Sequence, residues 1–293
     1  MAKFIFILFI ALLQLSGIEI KKAKVGDAEL AYYMRGSGDP LVMIMGFRGT
    51  MAMWDPALLE ELEKKYTLIL FDNRGVGFSS DSSAPLTLTQ MAKDTVELIQ
   101  TLGFKKAHIF GWSMGALIAV EMALNHPDIV NCMILSAPNP GGNQVKRNPN
   151  VLKKVVEEKL TPAEGLALLF PETPAGQTAG FALIARLMDR VAAGKIPNDM
   201  NVNKQIIDRQ VQALKTWARE HYVERLSQIK APTLVAGGVD DVINPPENVQ
   251  IVASQIPFAW SAYFPEAGHA FISQEYKNFS ELVILFIESQ RLK

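Results

Sequence analysis

The sequence predicts an α/β protein in which a mostly parallel β-sheet is flanked by helices and carries an inserted helical segment. Three observations predict it. Short apolar runs alternate with amphipathic stretches along most of the chain, which is the pattern of parallel strands joined by crossover helices. Between about residues 139 and 222 only helical patterns remain. Of the 293 residues, 49% are hydrophobic, which is enough for one large core with an insertion.

The first half of the chain alternates strands and helices in order. Residues 24–28 place a Gly-Asp turn between two strand-like stretches, which indicates a hairpin. Residues 40–45 and 66–72 are apolar enough for buried strands. Residues 86–102 carry their apolar side chains on one helical face, so we expect a helix that ends at Gly103.

The same alternation continues to the C-terminus. Strands are expected where short apolar runs recur, and helices where the apolar spacing lengthens. The predicted strands are residues 107–110, 130–135, 233–236 and 260–264, and the predicted helices are residues 116–125 and 274–292.

Residues 139–222 form the predicted insertion, which we call the cap. Helices are expected to begin after Thr161, which has the sequence of a capping box, and to cover residues 177–193 and 203–217. A separate second domain is the alternative, but the strand pattern resumes after the cap. The predicted core therefore consists of residues 18–138 and 223–293.

The N-terminal segment has a composition of its own. Lys3 is followed by an unbroken apolar run over residues 4–13, which is typical of a secretory signal peptide and too short to span a bilayer comfortably. Three lysines between residues 21 and 24 place more positive charge after the run than before it, and no A-x-A-like cleavage site follows. We expect residues 1–17 to be a signal peptide or an N-terminal anchor of an exported or membrane-associated protein. An apolar N-terminal strand in a cytoplasmic protein is the alternative.

Charge and cysteine content narrow the possible functions. The formal net charge is −1, with 29 basic and 30 acidic residues and no basic stripe, which argues against nucleic acid as a partner. The single cysteine, Cys132, lies in an apolar run and is expected to be an inert core thiol. Histidines, cysteines and carboxylates show no metal-ligand spacing, so no metal and no other cofactor is expected.

Residues 111–115, with the sequence Gly-Trp-Ser-Met-Gly, lie directly after a predicted strand and open a predicted helix. This is the context that a nucleophile elbow requires. The turn is tight enough to strain the backbone of its central residue. The residues two positions away on each side must be small, and they are Gly111 and Gly115. The helix N-terminus stabilises developing negative charge. The sequence therefore predicts Ser113 as a catalytic nucleophile.

A serine nucleophile needs a base, and the chain has four histidines. His269 follows the last predicted strand, and Gly268 before it lets the chain turn over the sheet edge. His108 lies within a predicted strand and is expected to be packed in the core. His126 ends a helix, and His221 lies at the end of the cap, where surface roles are expected. His269 is therefore the predicted base.

The base needs an orienting carboxylate. Asp240 and Asp241 are adjacent in the loop after the predicted strand 233–236, and both are candidates from the residues alone.

Taken together, these motifs resemble the α/β-hydrolase superfamily, in its subgroup of single-domain bacterial esterases, enol-lactonases and perhydrolase-like proteins. The order of serine, acid and histidine along the chain is the order of that family. Residues 72–79, Asp-Asn-Arg-Gly-Val-Gly-Phe-Ser, resemble its D-x-R-G-x-G-x-S loop, in which Asp72 and Arg74 would have a structural role. The similarity covers the chain from about Lys22 onward and is loose in the cap. It implies an eight-stranded, mostly parallel sheet.

The resemblance also implies further site residues. Gly238, Asp241 and Pro245 fit the family pattern G-x-x-D-x-x-x-P, which favours Asp241 over Asp240 as the acid. The oxyanion hole would consist of the backbone N–H groups of Met114 and Phe47. The family often has His-Gly before the second donor, where this chain has Met-Gly. Phe47 as a pocket wall only is the alternative.

The expected function is hydrolysis of a carboxylic ester, or a related acyl bond, of a small apolar substrate through an acyl-enzyme. Enol-lactone opening, C–C bond hydrolysis and cofactor-free perhydrolysis use the same triad and stay open, as does a non-catalytic binding protein. The expected partners are a small acyl substrate and, through the N-terminal segment, a membrane. Apolar cap residues are expected to pack on one another, with some lining an acyl pocket: Leu166, Leu168, Phe170, Phe181, Leu187, Met188 and Trp217.

Overall fold

The computed structural model describes residues 18–156, 160–219 and 222–291. The predicted signal peptide or anchor over residues 1–17 therefore lies outside the described residues, as do His221 and the end of the predicted last helix. Within the described ranges, the helices are all too short or too polar to cross a bilayer.

The centre of the fold is one sheet of eight strands in the order β1-β2-β4-β3-β5-β6-β7-β8. β2 is antiparallel to both of its neighbours, and the remaining pairs are parallel. This confirms the predicted mostly parallel sheet and the predicted hairpin. The strands are β1 (Lys21–Val25), β2 (Ala28–Gly36), β3 (Asp39–Ile44), β4 (Tyr66–Phe71), β5 (Ala107–Trp112), β6 (Val130–Ser136), β7 (Thr233–Gly238) and β8 (Ala259–Phe264).

Helices lie between the strands and in the cap. Between β6 and β7, all described elements are helices. This is the part of the chain where the sequence predicts an insertion. The α-helices are α1 (Pro56–Leu62), α2 (Leu88–Thr101), α3 (Met114–Asn125), α4 (Pro149–Val156), α5 (Pro162–Leu169), α6 (Pro174–Ala192), α7 (Lys204–Trp217), α8 (Tyr222–Arg225), α9 (Pro246–Gln255), α10 (Phe271–Gln274) and α11 (Tyr276–Gln290). Short 3-10 helices cover Met51–Met53, Gly142–Gln144 and Leu226–Gln228.

Two apolar layers cover the two faces of the sheet. Along β3, Leu41 and Met43 join one buried cluster, whereas Val42 and Ile44 join the other, because successive side chains of a strand point to opposite faces. One layer includes residues of α2, α3 and α9, and the other includes residues of α1 and α11. Burial on both faces explains why the parallel strands are almost continuously apolar.

The structure corrects several predicted boundaries. β5 extends to Trp112 and α3 begins at Met114, so the strand and the helix approach each other more closely than the apolar pattern indicates. The predicted last helix is divided at Glu275 into α10 and α11. The sequence analysis also missed α1 and α9, which are short and both have proline in the first turn.

The loop after β4 has a structural role, as the resemblance implies. Asp72 accepts hydrogen bonds from the backbone N–H groups of Met51 (2.7 Å) and Phe78 (2.9 Å). Arg74 donates two hydrogen bonds of 2.7 Å to the buried Asp94. Burial raises the pKa of Asp72 to about 6. These contacts tie the loop to its neighbours and leave none of the charged groups unpartnered.

Candidate active site

Ser113 is the single residue between β5 and α3. Its backbone has φ +56° and ψ −119°, a left-handed conformation that a serine rarely adopts and that costs about 1–3 kcal/mol. Its N–H donates to the carbonyl oxygen of Ser136 at 2.8 Å, so the strained turn is fixed to the neighbouring strand β6. The strain predicted from the pentapeptide is therefore present at Ser113.

Glycines make this turn possible. A Cβ on Gly111 would lie 2.3 Å from the carbonyl oxygen of Gly115, and one on Gly115 would lie 2.0 Å from that of Ile44. Both distances are far below van der Waals contact, so neither position can carry a side chain. A Cβ on Gly46 would lie 3.1 Å from the Cβ of Ser113, which shows how closely the loop after β3 approaches the serine.

His269 and Asp241 form a buried pair. The Nδ1 atom of His269 lies 2.7 Å from Oδ2 of Asp241, and each residue is only 3% exposed. The other oxygen, Oδ1, accepts 2.8 Å hydrogen bonds from the N–H groups of Ile243 and Asn244. These two bonds fix the carboxylate, so that Oδ2 faces the imidazole.

Asp240, the other candidate acid, is placed differently. It is exposed, and its backbone N–H donates to the carbonyl oxygen of Ala267 at 2.9 Å. The structure therefore brings Asp241, and not Asp240, to His269.

The main chain of His269 is also held in place. The indole N–H of Trp112 donates to the carbonyl oxygen of His269 at 3.0 Å, and the two rings have centroids 5.5 Å apart. The next residue, Ala270, donates its N–H to the carbonyl oxygen of Leu169 in the cap at 2.9 Å. Both β5 and the cap thus position the histidine.

Ser113 and His269 line the same cavity, of about 190 Å³, together with Gly46, Phe47 and residues of α5. A second cavity of about 120 Å³ lies on another side of Ser113 and is lined by Phe47, Met114 and Trp217 among others. Most of the side chains around both cavities are apolar. The described site is therefore a pair of small apolar spaces that share the serine.

The predicted oxyanion residues also lie beside Ser113. Phe47 lines both cavities, and Met114 lines the second at the first position of α3. Within residues 18–156, 160–219 and 222–291, neither the N–H of Phe47 nor that of Met114 has a protein acceptor. Two backbone donors are thus available next to the serine.

The loop that carries Phe47 is fixed by a residue of the cap. Arg48 has φ +61°, and its backbone N–H donates to Oε1 of Gln210 on α7 at 3.1 Å. Gln210 is fully buried. The sequence analysis missed this residue, because its partner lies 162 positions away and a lone glutamine in a helix carries no motif.

The structure separates the apolar cap residues into different roles. Leu168 and Trp217 each line one of the two cavities beside Ser113. Leu166 and Phe170 are buried in a small cluster between cap and core. Phe181 and Met188 are 63% and 66% exposed and line neither cavity. The prediction that they pack within the cap or line a pocket was wrong.

Two other described histidines lie outside both cavities. His126 ends α3, where its backbone N–H donates to the carbonyl oxygen of Met122 at 2.7 Å. His108 is buried in β5, with Nε2 at 3.3 Å from Nδ2 of Asn131, and its Nδ1 has no partner among the described residues. This confirms His108 as a packed core residue, and burial lowers its pKa to about 4.

We expect His108 to make the protein sensitive to acid. Unfolding restores the usual pKa near 6.5, so the unfolded chain binds the proton first as the pH falls. The stability that His108 contributes is present above pH 6.5 and is lost as the pH falls towards 4. Between pH 7 and 5 the wild type should lose about 2 kcal/mol more unfolding free energy than His108→Gln, as urea titrations at both pH values would measure. The raised pKa of Asp72 changes the unfolding free energy in the opposite direction as the pH falls, but it does so equally in wild type and in His108→Gln. Equal losses would contradict this assignment.

Cys132 is buried, as predicted, and burial raises the pKa of its thiol to about 11. Among the residues that the structure describes, no group of three or more histidines, cysteines and carboxylates could hold a metal ion.

The fold has clear counterparts among known proteins. The profile of the α/β-hydrolase fold family matches residues 39–276. The chain belongs to the α/β-hydrolase family. Residues 113, 241 and 269 follow the carboxyl ends of β5, β7 and β8.

Individual relatives agree on the class of protein. The chain is 27% identical over 266 residues to the protein provisionally named carbamate hydrolase RutD from Azorhizobium caulinodans, covering 89% of this chain and 96% of the relative. It is 30% identical over 251 residues to the protein provisionally named non-heme bromoperoxidase BpoC from Mycobacterium tuberculosis, covering 82% of this chain and 90% of the relative.

Among solved structures, an α/β-hydrolase fold protein from Chitinophaga pinensis superposes with a TM-score of 0.84 at 26% identity. The alignment covers 94% of this chain and 99% of that one. Family and relatives together make this protein a hydrolase of the α/β-hydrolase family.

Proposed function

We propose that this hydrolase is a serine hydrolase that cleaves a carboxylic ester, or a related acyl bond, of a small apolar substrate. The observation that carries the proposal is the elbow serine Ser113 in one cavity with His269, which is itself paired with the buried Asp241. A nucleophile, a base and a carboxylate that orients the base are the three groups that acyl transfer to serine requires.

The first half of the reaction follows from this arrangement. Asp241 accepts the Nδ1–H of His269, which leaves the Nε2 lone pair free to take a proton. As the hydroxyl oxygen of Ser113 attacks the substrate carbonyl, Nε2 takes the hydroxyl proton and the carboxylate stabilises the resulting imidazolium. Transfer of that proton to the leaving alkoxide completes the acyl-enzyme.

The tetrahedral oxyanion is stabilised by backbone donors. We assign this role to the N–H groups of Phe47 and Met114, which lie beside Ser113 and have no protein acceptor among the described residues. The N-terminus of α3 adds favourable partial charge at the same point. Because both donors belong to the backbone, the family's histidine at the position of Met45 is not needed for the donors themselves.

The second half of the reaction repeats the first with water as nucleophile. His269 takes a proton from the water as it attacks the acyl-enzyme carbonyl, and then returns the proton to the oxygen of Ser113. The carboxylic acid leaves, and the serine is regenerated. No redox change occurs, so these steps need no cofactor.

The two cavities support the proposed substrate class. Their volumes of about 190 and 120 Å³, and their apolar lining, suit a small acyl group and a small apolar leaving group. Val155 and Ile243 line both spaces.

A series of p-nitrophenyl esters from acetate to dodecanoate tests this proposal. We expect kcat/KM to be highest for the short acyl groups and to fall by about tenfold or more for the longest, because long chains exceed the cavities. The control for spontaneous hydrolysis is the Ser113→Ala variant under the same conditions. If wild type leaves every ester in the series intact, the ester proposal fails, and enol-lactones and C–C bonds become the substrates to test.

A second candidate is peroxide chemistry, which the 30% identity to a protein named as a bromoperoxidase favours. Hydrogen peroxide in place of water would attack the same acyl-enzyme and release a peracid, with Ser113 regenerated. Peracid formation from hydrogen peroxide and an ester that the enzyme cleaves, followed by bromide oxidation, distinguishes this activity from simple hydrolysis.

A further inference from the structure

The cap helix α6 exposes an apolar stripe on its outward side. It runs from Pro174 to Ala192, so it is about 28 Å long. Phe181, Ile184 and Met188 are 63%, 40% and 66% exposed on its outward side. We call this side the outer face of α6; it also includes the exposed Ala185 and Ala192. Spacings of three and four residues place these side chains in one stripe.

The two arginines of α6 pair with residues beneath the helix instead. Arg186 donates to both carboxylate oxygens of the buried Asp55, at 2.8 and 2.5 Å, and its guanidinium lies 5.4 Å from the ring centroid of Tyr276. One turn further along, Arg190 pairs with Glu60 of α1. A helix that meets water normally presents its charges outward, so the outer face of α6 is suited to an apolar environment.

The N-terminal segment meets the described structure at the end of this same helix. The backbone N–H of Ile18 donates to the carbonyl oxygen of Gly194 at 3.0 Å, just after the last residue of α6. The apolar run over residues 4–13 is separated from Ile18 by only residues 14–17. Where these residues remain attached, the last residue of the run, Leu13, lies within about 18 Å of Ile18, because five fully extended Cα–Cα steps reach no further.

We propose that the outer face of α6 docks on a lipid surface that contains anionic head groups, beside the N-terminal apolar run. The N-terminal run and the outer face of α6 have similar chemistry. The run contains no charged residue, and Asp189 is the one exposed charged residue of α6 beside the outer face. An interfacial helix of this kind buries its apolar side about 5–10 Å into the head-group region.

A lipid surface explains the N-terminal apolar run and the outer face of α6 better than packing of the run on α6 does. Every residue from 4 to 13 is apolar, so packing this run on α6 would cover one side of it and leave the others in water. A second protein copy would face the same difficulty. A bilayer surrounds the run on all sides and covers the outer face of α6 at the same time.

Exposed lysines near this end of the molecule favour anionic lipid. Lys21, Lys22 and Lys24 follow Ile18, and Lys195 follows Gly194; all four are exposed. Lys21 lies 3.4 Å from the exposed Glu19, a pair that salt and solvent weaken. Basic residues beside an apolar insertion strengthen binding at an anionic membrane surface.

Flotation with lipid vesicles tests the proposal on the full chain. The vesicles are phosphatidylcholine with or without phosphatidylglycerol. The test variant is Phe181→Glu with Met188→Glu. The matched control is Phe258→Glu with Leu285→Glu, which changes two residues that are 88% and 59% exposed on other parts of the surface. Far-UV circular dichroism reports that each protein is folded.

We expect wild type and control to float with the anionic vesicles, and the fraction of the test variant that floats to fall by about tenfold or more. The circular dichroism spectra should be the same in all three, so that this result is independent of the proposed function. The proposal is overturned if wild type stays in the soluble fraction, or if the test variant floats as well as wild type. It is equally overturned if the control loses as much flotation. It is also overturned if the wild type is a dimer that does not bind vesicles, and the test variant changes its elution volume in size-exclusion chromatography.

Discussion

Replacing Ser113 by alanine is expected to lower kcat/KM on the best ester by about four to six orders of magnitude. Without the hydroxyl there is no acyl-enzyme, and the remaining catalysis comes only from the oxyanion donors and from binding. Labelling by a fluorophosphonate probe, which reacts with activated serines, should be lost in the same variant. Active-site labelling and ester turnover measure these two losses independently.

The fold should survive this substitution. Alanine has the same Cβ in the strained backbone conformation of residue 113, and the hydrogen bond from its N–H to Ser136 involves backbone atoms only. Ser136→Ala is a matched control, because this neighbouring serine is fully buried and its Oγ has no partner among the described residues. The control should keep its labelling and activity. Wild type without labelling, or Ser113→Ala with full labelling, would refute the proposed nucleophile.

Replacing Asp241 by asparagine is expected to lower kcat by about three to four orders of magnitude. The asparagine oxygen can still accept the hydrogen bonds from Ile243 and Asn244 that fix the loop. Its amide group then faces Nδ1 of His269 as a donor, which places the imidazole proton on Nε2. The histidine in that tautomer cannot take the proton of Ser113.

Asp240→Asn is the matched control for this loss. It is the same chemical change one residue earlier, at an exposed carboxylate whose backbone hydrogen bond to Ala267 is unaffected. We expect less than about a fivefold change in kcat at neutral pH. Steady-state kinetics of both variants from pH 6 to 10 provide the measurement. A larger loss in Asp240→Asn than in Asp241→Asn would show that the acid is assigned to the wrong residue.

The fold and the residues of the site were predictable from local sequence to different degrees. Apolar runs indicated the strands, because parallel strands buried on both faces must be apolar along their length. Ser113 was recognisable because a tight strand-to-helix turn needs glycine on both sides of it, and the distances at Gly111 and Gly115 show why. The structure brings Asp241 to His269, but their catalytic roles stay a prediction until the variants are measured.

Contacts between distant segments could not be read from the sequence. The hydrogen bond from Trp112 to the carbonyl oxygen of His269 joins residues 157 positions apart, and nothing in the pentapeptide requires it. The side of α6 that faces the core could not be read from the sequence either. Its apolar residues indicate a helix but not which side meets the core. Ion pairs with Asp55, just before α1, and with Glu60 on α1 are made by the inward side.

The bond between Gln210 and the N–H of Arg48 makes the cap and the catalytic core interdependent in evolution. In a modular enzyme, a cap could be exchanged as a block and would alter only which substrates fit. Here α7 supplies an acceptor to the loop that carries Phe47, so a transplanted cap without a glutamine at this place would remove the acceptor of this part-buried hydrogen bond, next to the proposed oxyanion donor. Lineages that diversify their substrates by changing the cap would therefore have to keep this one side chain, or rebuild the loop with it.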